Sequence, residues 1–222
     1  TIATCMETSP QYIKLIFALF LIGIKWVPID PKSRGPSLEH TIKTTQPNLM
    51  VGTNSSLKYV KEICFDCKII ELESWQTKAT DASADLSYEK NSSDNHSLIV
   101  FTSGTSGPPK GVIVTDRMIL ASAAGSALAS DCSRDDNFLF WEPLHHISGL
   151  QTLIMALVYG AKLTLVSRFS ASNFWELANS KGITKLHYLG GILEILLSNQ
   201  VSKEEKKHRI KLAFGGGCRP EI

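Results

Sequence analysis

The sequence has no apolar run long enough to cross a bilayer. Its most hydrophobic stretch, LIFALFLIGI (15–24), is ten residues, where a membrane helix needs roughly twenty, so it reads as a core helix. No charge of one sign accumulates: 23 Lys and Arg stand against 21 Asp and Glu, a formal net charge of +2. That balance gives no electrostatic footprint of a nucleic-acid binder, and no basic stripe alternates with aromatics. Acidic tails, low-complexity tracts and internal repeats are absent too. Cysteine is sparse, five at irregular spacings, in a chain too large to need staples; reduced thiols and a cytoplasmic setting are expected. Cys64 and Cys67 form a C-x-x-C, but no second pair or nearby histidine completes a zinc site, and no metal ligands are assigned. No signal peptide is evident. The opening TIATCMETSP reads as the end of a strand already under way and the closing RPEI has no tail, so a piece of a longer protein is expected.

What is present is an alternation. Ser9-Pro10 is a helix start, a hydroxyl cap followed by proline in the first turn. Ile13, Ile16, Phe17, Phe20, Leu21 and Ile24 then follow the i, i+3, i+4, i+7 pattern, with Leu15, Ala18 and Leu19 on other faces, predicting a helix covered nearly all round. Strands are predicted at 25–30, 48–52, 68–72, 97–101, 111–115, 137–141, 161–167, 183–190 and 209–217. Helices are predicted at 36–45, 55–65, 116–130, 149–160, 170–182 (serine-capped) and 191–200. Residues 73–95 lack apolar periodicity and read as a surface loop, and KEEKKHRIK (203–211) as a solvated helix and turn. Strands alternating with helices of this length predict an α/β fold of helix-covered, mostly parallel sheets. A composition shift near 120–135 suggests two sub-units, 1–127 and 128–222.

The most informative stretch is FTSGTSGPPKG (101–111), directly after the apolar run SLIVF (97–101). Glycine and proline end the strand, so the polar cluster sits on a loop at a strand's carboxyl end, where open α/β sheets place ligands. Thr102, Ser103, Thr105 and Ser106 offer hydroxyls, Gly104 and Gly107 allow close backbone approach, and Lys110 supplies a mobile positive charge suited to phosphate oxygens. So many donors with no acid point to a polyphosphate. The loop is not a Walker A motif, since Pro109 precedes Lys110 and Gly111 follows it, and G-x-G-x-x-G is absent. The competing structural reading is a flexible Ser/Gly linker that happens to contain a lysine.

FTSGTSGPPKGV resembles the phosphate loop of the adenylate-forming (AMP-binding) superfamily, which includes acyl-CoA synthetases, luciferases and peptide-synthetase adenylation domains; Ser106 stands where the family usually has Thr. Residues 9–42 resemble the family's early helix and its Gly-x-x-x-x-Pro strand. EPLHHISGL (142–150) resembles Pro-Leu-x-His-x-x-Gly, and AFGGGC (213–218) the glycine-rich strand end beside the nucleotide and acyl pocket. Residues 169–197 resemble the carnitine/crotonobetaine-CoA ligase-like branch. The resemblance implies part of the large N-terminal domain of an adenylate-forming enzyme, and with it ATP, Mg²⁺ and coenzyme A.

That family activates a carboxylic acid as an acyl-adenylate and then forms a thioester. By resemblance, Thr102, Ser103, Gly104, Thr105, Ser106, Gly107 and Lys110 hold the phosphates, and Lys110 orients the departing pyrophosphate. His146 aligns with the motif histidine and, with Lys110, is the catalytic candidate; His145 is the lesser one. Gly215, Gly216 and Gly217 border the nucleotide and acyl pocket, with Trp141 and Ile147 as acyl-lining candidates. His187 reads as a satisfied core residue. The family's Tyr-Gly-x-Thr-Glu motif, whose glutamate holds Mg²⁺, its ribose-binding aspartate, its hinge and its C-terminal lysine domain find no counterpart in these residues, so the chain alone is expected not to turn over. Alternatives are a peptide-synthetase adenylation domain or aryl-acid ligase, a non-catalytic nucleotide-binding relative, and a plain scaffold. The expected partner is a small carboxylic acid.

Overall fold

The computed structural model describes residues 1–63, 66–76, 96–102, 107–199, 203–217, 219 and 221. Two compact units divide the chain: Thr1–Met118 with Pro143–Ile147, and Ile119–Glu142 with Ser148–Ile222. Along the chain the first passage from one unit to the other falls at 118/119, inside a helix. Residues 116–130 form one uninterrupted helix, and a composition shift inside a helix does not mark where contacts change partners.

In the first unit the described strands are β1 (Ile2–Cys5), β2 (Trp26–Ile29), β3 (Leu49–Gly52), β4 (Lys68–Glu71), β5 (His96–Phe101) and β6 (Gly111–Thr115). They lie in the order β4-β3-β1-β2-β5-β6, parallel except for β6, which returns antiparallel beside β5. Parallel neighbours need crossovers, supplied by α1 (Pro10–Leu21), α2 (Gly35–Thr45) and α3 (Asn54–Lys61). Ala3, Val27, Ile29, Met50, Leu38, Ile42, Leu57 and Val60 fill the core between sheet and helices. Pairing between β2 and β5 occurs at Trp26↔Leu98; further along β2, Pro28 has no N–H to give.

The capping reading of α1 holds: Ser9 Oγ accepts from the Tyr12 N–H at 3.2 Å, with Pro10 opening the helix. The helix is fixed to the sheet by a buried polar trio. Trp26 Nε1 donates to Thr4 Oγ1 at 2.7 Å, and Thr4 Oγ1 shares a 2.6 Å hydrogen bond with the Tyr12 hydroxyl. Coverage is one-sided, however: Tyr12, Leu15, Ile16 and Leu19 are buried, while Leu21 and Ile22 are about half exposed. The helix is amphipathic where an all-round core helix was expected. The predicted loop 73–95 opens with a five-residue helix, α4 (Leu72–Gln76); 77–95 lies outside the described residues.

The second unit carries most of α5 (Asp116–Ser130), then β7 (Asn137–Phe140), α6 (Ile147–Tyr159, save its first residue), β8 (Lys162–Leu165), α7 (Phe174–Lys181), β9 (Lys185–Leu189), α8 (Gly190–Ser198) and β10 (Leu212–Gly216). Its four described strands are all parallel, in the order β10-β9-β7-β8. Leu139, Phe174, Ala178, Ile183 and Leu186 form its core. The serine cap expected for α7 is not made. The cap position is Asn173 without a side-chain bond, and Ser170 instead meets the Ser172 hydroxyl. The run 203–211 contains only a short 3₁₀ turn, Glu205–Lys207.

Cys5 and Cys132 are free, but Cys67 is disulfide-bonded, a departure from five reduced thiols. Cysteine count and spacing carry no information on which sulfurs meet in space. Cys64, the other half of the C-x-x-C, lies outside the described residues. Among the described residues no helix is long and apolar enough to cross a membrane.

Candidate functional site

The loop between β5 and β6 leaves the carboxyl end of a strand parallel to β2, on the rim where the segments after β1 and β2 also emerge. Ser103, Gly104, Thr105 and Ser106 lie outside the described residues. The two arms that carry them are defined. Thr102 N–H donates to the Lys110 carbonyl at 3.0 Å, and Lys110 N–H donates back to Thr102 Oγ1 at 3.3 Å. Thr102, Gly107 and Lys110 are exposed, so the lysine side chain is free of the core while its backbone is tied. Gly111, the first residue of β6, admits no Cβ without crowding Ile99 and Phe101, which such an atom would meet at 3.0 and 3.2 Å. That glycine lets the hairpin close directly under the loop.

Two contacts at this stem were not legible in the sequence. His40, on α2, reaches the Pro109 carbonyl with Nε2 at 2.9 Å. The same ring stands edge-on to Phe101, with centroids 6.4 Å apart. Its one local signal is position, beside the buried Leu38, Thr41 and Ile42.

Residues Pro143–Ile147 belong to the same unit and form a turn against the loops after β1 and β2. Leu144 N–H donates to Thr8 Oγ1 at 3.1 Å, and His146 N–H to the Pro143 carbonyl at 3.1 Å. Leu144 is buried and His146 exposed. His145 turns the other way: its side chain is 21% exposed and its Nε2 stands 3.9 Å from Asp30 Oδ1. Burial holds the His145 imidazole below its ordinary range, with the His146 and Lys32 charges in the same direction and Asp30 and Glu7 opposing. The two adjacent histidines therefore occupy different environments, one facing solvent and one facing a carboxylate.

The glycines of β10 lie in the second unit. Gly215 pairs with Tyr188 of β9, and a Cβ there would come within 1.9 Å of the Tyr188 carbonyl oxygen. Gly217 has φ +77°, in the left-handed region. At Gly216 an added Cβ would meet nothing within 4 Å. Three glycines in a row thus have different causes: close strand approach, backbone conformation and open space. His187, on β9, is a buried and satisfied residue, as read from the sequence. Its Nδ1 donates to Glu142 Oε1 at 2.5 Å, and its carbonyl accepts from Trp141 Nε1 at 3.1 Å. The wholly buried Glu142 had no signal in the sequence beyond an acid beside an apolar strand.

Among the described residues no group of three His, Cys, Asp or Glu is placed to hold a metal ion. What the first unit presents is an exposed lysine and threonine at a braced hairpin stem, with a histidine pair on the same unit. Cation, hydroxyl and backbone donors of this kind suit an anionic phosphate.

Comparison with known proteins bears on the family and the fold. Over 238 aligned residues and the whole chain, the sequence is 29% identical to long-chain fatty acid transport protein 6 of Mus musculus, of which it spans 38%. It is 27% identical to the very long-chain fatty acid transport protein of Saccharomyces cerevisiae, spanning 36% of it. The chain thus covers less than half the length of these relatives. Among solved structures, o-succinylbenzoate coenzyme A synthetase from Bacillus subtilis, in complex with AMP, superposes with a TM-score of 0.83 at 26% identity, over 97% of this chain and 54% of that one. A Mycobacterium tuberculosis fatty acyl CoA synthetase gives 0.85 at 22% identity, over 97% and 44%, a likeness of fold. The carnitine/crotonobetaine branch suggested by residues 169–197 is named by none of these four. The model of the AMP-binding enzyme family matches residues 1–222, and the chain belongs to that family.

Proposed function

We propose that this chain is the phosphate-gripping part of an ATP-dependent acyl-CoA ligase acting on a fatty acid. The family and its fold support activation of a carboxylic acid. The names of the relatives favour a long acyl chain, and the coenzyme A synthetases among the structural neighbours favour coenzyme A as acceptor. The observation that carries the reading is the hairpin stem: the Lys110 backbone is bonded to the Thr102 amide and hydroxyl while the lysine side chain stays exposed.

The first half-reaction brings a carboxylate oxygen to the α-phosphorus of ATP. A new O–P bond forms, the bond to the bridging oxygen breaks, and pyrophosphate leaves with that electron pair. Two anions must approach, so fixed positive charge and donors are needed where negative charge gathers. Lys110 supplies the charge on the β- and γ-phosphate side. Thr102 accepts from the Lys110 amide and keeps its own O–H to donate. Ser103, Gly104, Thr105, Ser106 and Gly107 complete the phosphate loop in this reading. His146, exposed on the 143–147 turn, donates to the phosphoryl or acyl oxygen, and His145 stays neutral behind it. In the second half-reaction the coenzyme A sulfur attacks the acyl carbon, and AMP leaves as the acyl C–O bond breaks. Among the described residues no three His, Cys, Asp or Glu side chains gather to hold a metal ion; in this reading Mg²⁺ would bind chiefly through the phosphates of ATP, where it would offset their charge. The cytoplasm is the proposed location.

The test is AMP and pyrophosphate release by the full-length protein, with ATP, coenzyme A and a panel of carboxylic acids from short to very long chain. Acid-dependent release is expected, strongest with long chains. Lys110→Ala removes a charge-assisted contact of about 1.5–3 kcal/mol, so kcat/KM for ATP should fall by about ten- to a hundredfold. Absence of acid-dependent AMP formation across the panel would overturn the reading.

A further inference from the structure

We propose that His40 is a positioning residue for the phosphate loop, acting on Lys110 through the carbonyl oxygen of Pro109. The inference rests on the role given to Lys110 above. The peptide unit joining Pro109 to Lys110 is held at both ends: its oxygen takes a hydrogen bond from His40 Nε2 at 2.9 Å, and its N–H donates to Thr102 Oγ1 at 3.3 Å. The next carbonyl, that of Lys110, accepts from Thr102 N–H at 3.0 Å. Rotation of the 109–110 peptide plane would break the first two together. The direction in which the Lys110 side chain leaves the backbone is therefore set by His40 on one side and Thr102 on the other.

His40 also joins the two arms of the hairpin. Its ring stands edge-on to Phe101, the last residue of β5, on the ascending arm. Its Nε2 holds the descending arm at Pro109. A carbonyl oxygen only accepts, so Nε2 must carry a hydrogen, which it does in one neutral tautomer and in the imidazolium. Pro109 has no N–H of its own to fasten this arm to a neighbouring strand. Helix α2 can serve as a fixed mount because Leu38, Thr41 and Ile42 on either side of His40 are buried. Lysine keeps its charge whatever His40 does; what His40 contributes is where that charge points.

Two variants of the full-length protein separate the bond from the ring. His40→Phe keeps an aromatic edge against Phe101 and loses the donor; His40→Gln keeps an N–H donor and loses the ring. With the loss of one net hydrogen bond, about a two- to tenfold rise in KM for ATP and in the inhibition constant of added inorganic pyrophosphate is expected for His40→Phe. KM for the acid and for coenzyme A should not change, and His40→Gln should restore much of the loss. In the Lys110→Ala background, His40→Phe should add little, because the two act as a unit. Equal losses for ATP and acid, or no rescue by His40→Gln, or full additivity with Lys110→Ala, would each overturn the proposal. Amide hydrogen exchange at Lys110 gives a ligand-free readout: faster exchange in His40→Phe is expected, and an unchanged rate counts against the brace. If Lys110→Ala leaves ATP use intact, the function assigned above fails, while the exchange measurement still decides whether His40 holds the loop.

Discussion

His187 donates from Nδ1 to Glu142 Oε1 at 2.5 Å, with the two side chains 6% and 0% exposed. Backbone pairing of β7 with β9 runs through Phe138↔Lys185 and Leu139↔Leu186. Beyond it, side chains continue the fastening: Glu142 Oε2 accepts from Trp141 N–H at 3.2 Å, and Trp141 Nε1 donates to the His187 carbonyl at 3.1 Å. Phe214 of β10 lies against the imidazole, 4.8 Å between centroids. Glu142→Ala strands a buried imidazole N–H, and a cost of about 1–3 kcal/mol follows. Replacing both partners, Glu142→Leu with His187→Phe, should recover part of that loss, because neither is then left alone in the core. Urea midpoints of the three proteins check this; a double variant no more stable than Glu142→Ala would contradict it.

The His145 environment gives stability a pH dependence. Burial holds its folded-state imidazole below the ordinary 6.5, with Asp30 opposing from 3.9 Å. As pH drops through 6.5 the unfolded chain takes up a proton that the folded chain refuses. The contribution is therefore complete above about pH 6.5 and declines as pH falls toward the folded-state value. Glu7, Lys32 and His146 are the other charged or titratable groups acting on it. The expected result is a falling thermal midpoint between pH 7 and pH 5 whose slope is reduced in His145→Gln. An unchanged slope would place the effect on other groups.

How much of this was legible depends on the range of the interaction. The Ser9 cap, the β5–loop–β6 punctuation and the α/β alternation are local patterns, and each stands where the sequence put it. Ser170 failed as a cap because several adjacent polar residues compete for one helix start. Leu21 and Ile22 could not be told from core by periodicity alone, since an apolar end of a helix looks the same whether or not a neighbour covers it. His40 and Glu142 were invisible for a different reason. Their partners lie 69 and 45 positions away, and no short pattern encodes which strand end a side chain will reach. The same holds for the different surroundings of the adjacent His145 and His146, one beside Asp30 and the other exposed, which no local pattern encodes.

A second buried ionic group makes the amino end of β7 acid-sensitive. Asp136 is desolvated, which alone would raise its carboxyl, but bonds from the Thr184 hydroxyl and from Ser133, with the Lys185 charge, bring it below the ordinary 3.8. Lys185 Nζ donates to the Ser130 and Asp131 carbonyls at 2.7 and 3.2 Å, closing the end of α5, and stands 3.9 Å from Asp136 Oδ2. Because the folded value is depressed, this stabilisation is present above about pH 3.8 and is lost as pH falls through the folded-state value. Asp136→Asn should cost about 3–5 kcal/mol at neutral pH, by leaving Lys185 without its counter-charge. Below pH 3 the difference from the parent protein should shrink. Denaturant melts at pH 7 and pH 3 test both statements.

The glycine run at the end of β10, Gly215 to Gly217, separates packing from ligand space. Gly215→Ala drives a Cβ to 1.9 Å from the Tyr188 carbonyl oxygen, a clash with backbone that only strand separation relieves, so loss of the folded second unit is expected. Gly217→Ala forces a side chain into φ +77°, at a cost of about 1–2 kcal/mol. Gly216→Ala meets nothing within 4 Å, and its thermal midpoint should match that of the parent. If the strand end borders the adenylate, that same methyl group occupies ligand volume, and KM for ATP or for the acid should rise in a protein of unaltered stability. A Gly216→Ala enzyme with parental KM values for both would remove Gly216 from the pocket and leave the glycine run explained by strand packing and backbone conformation alone.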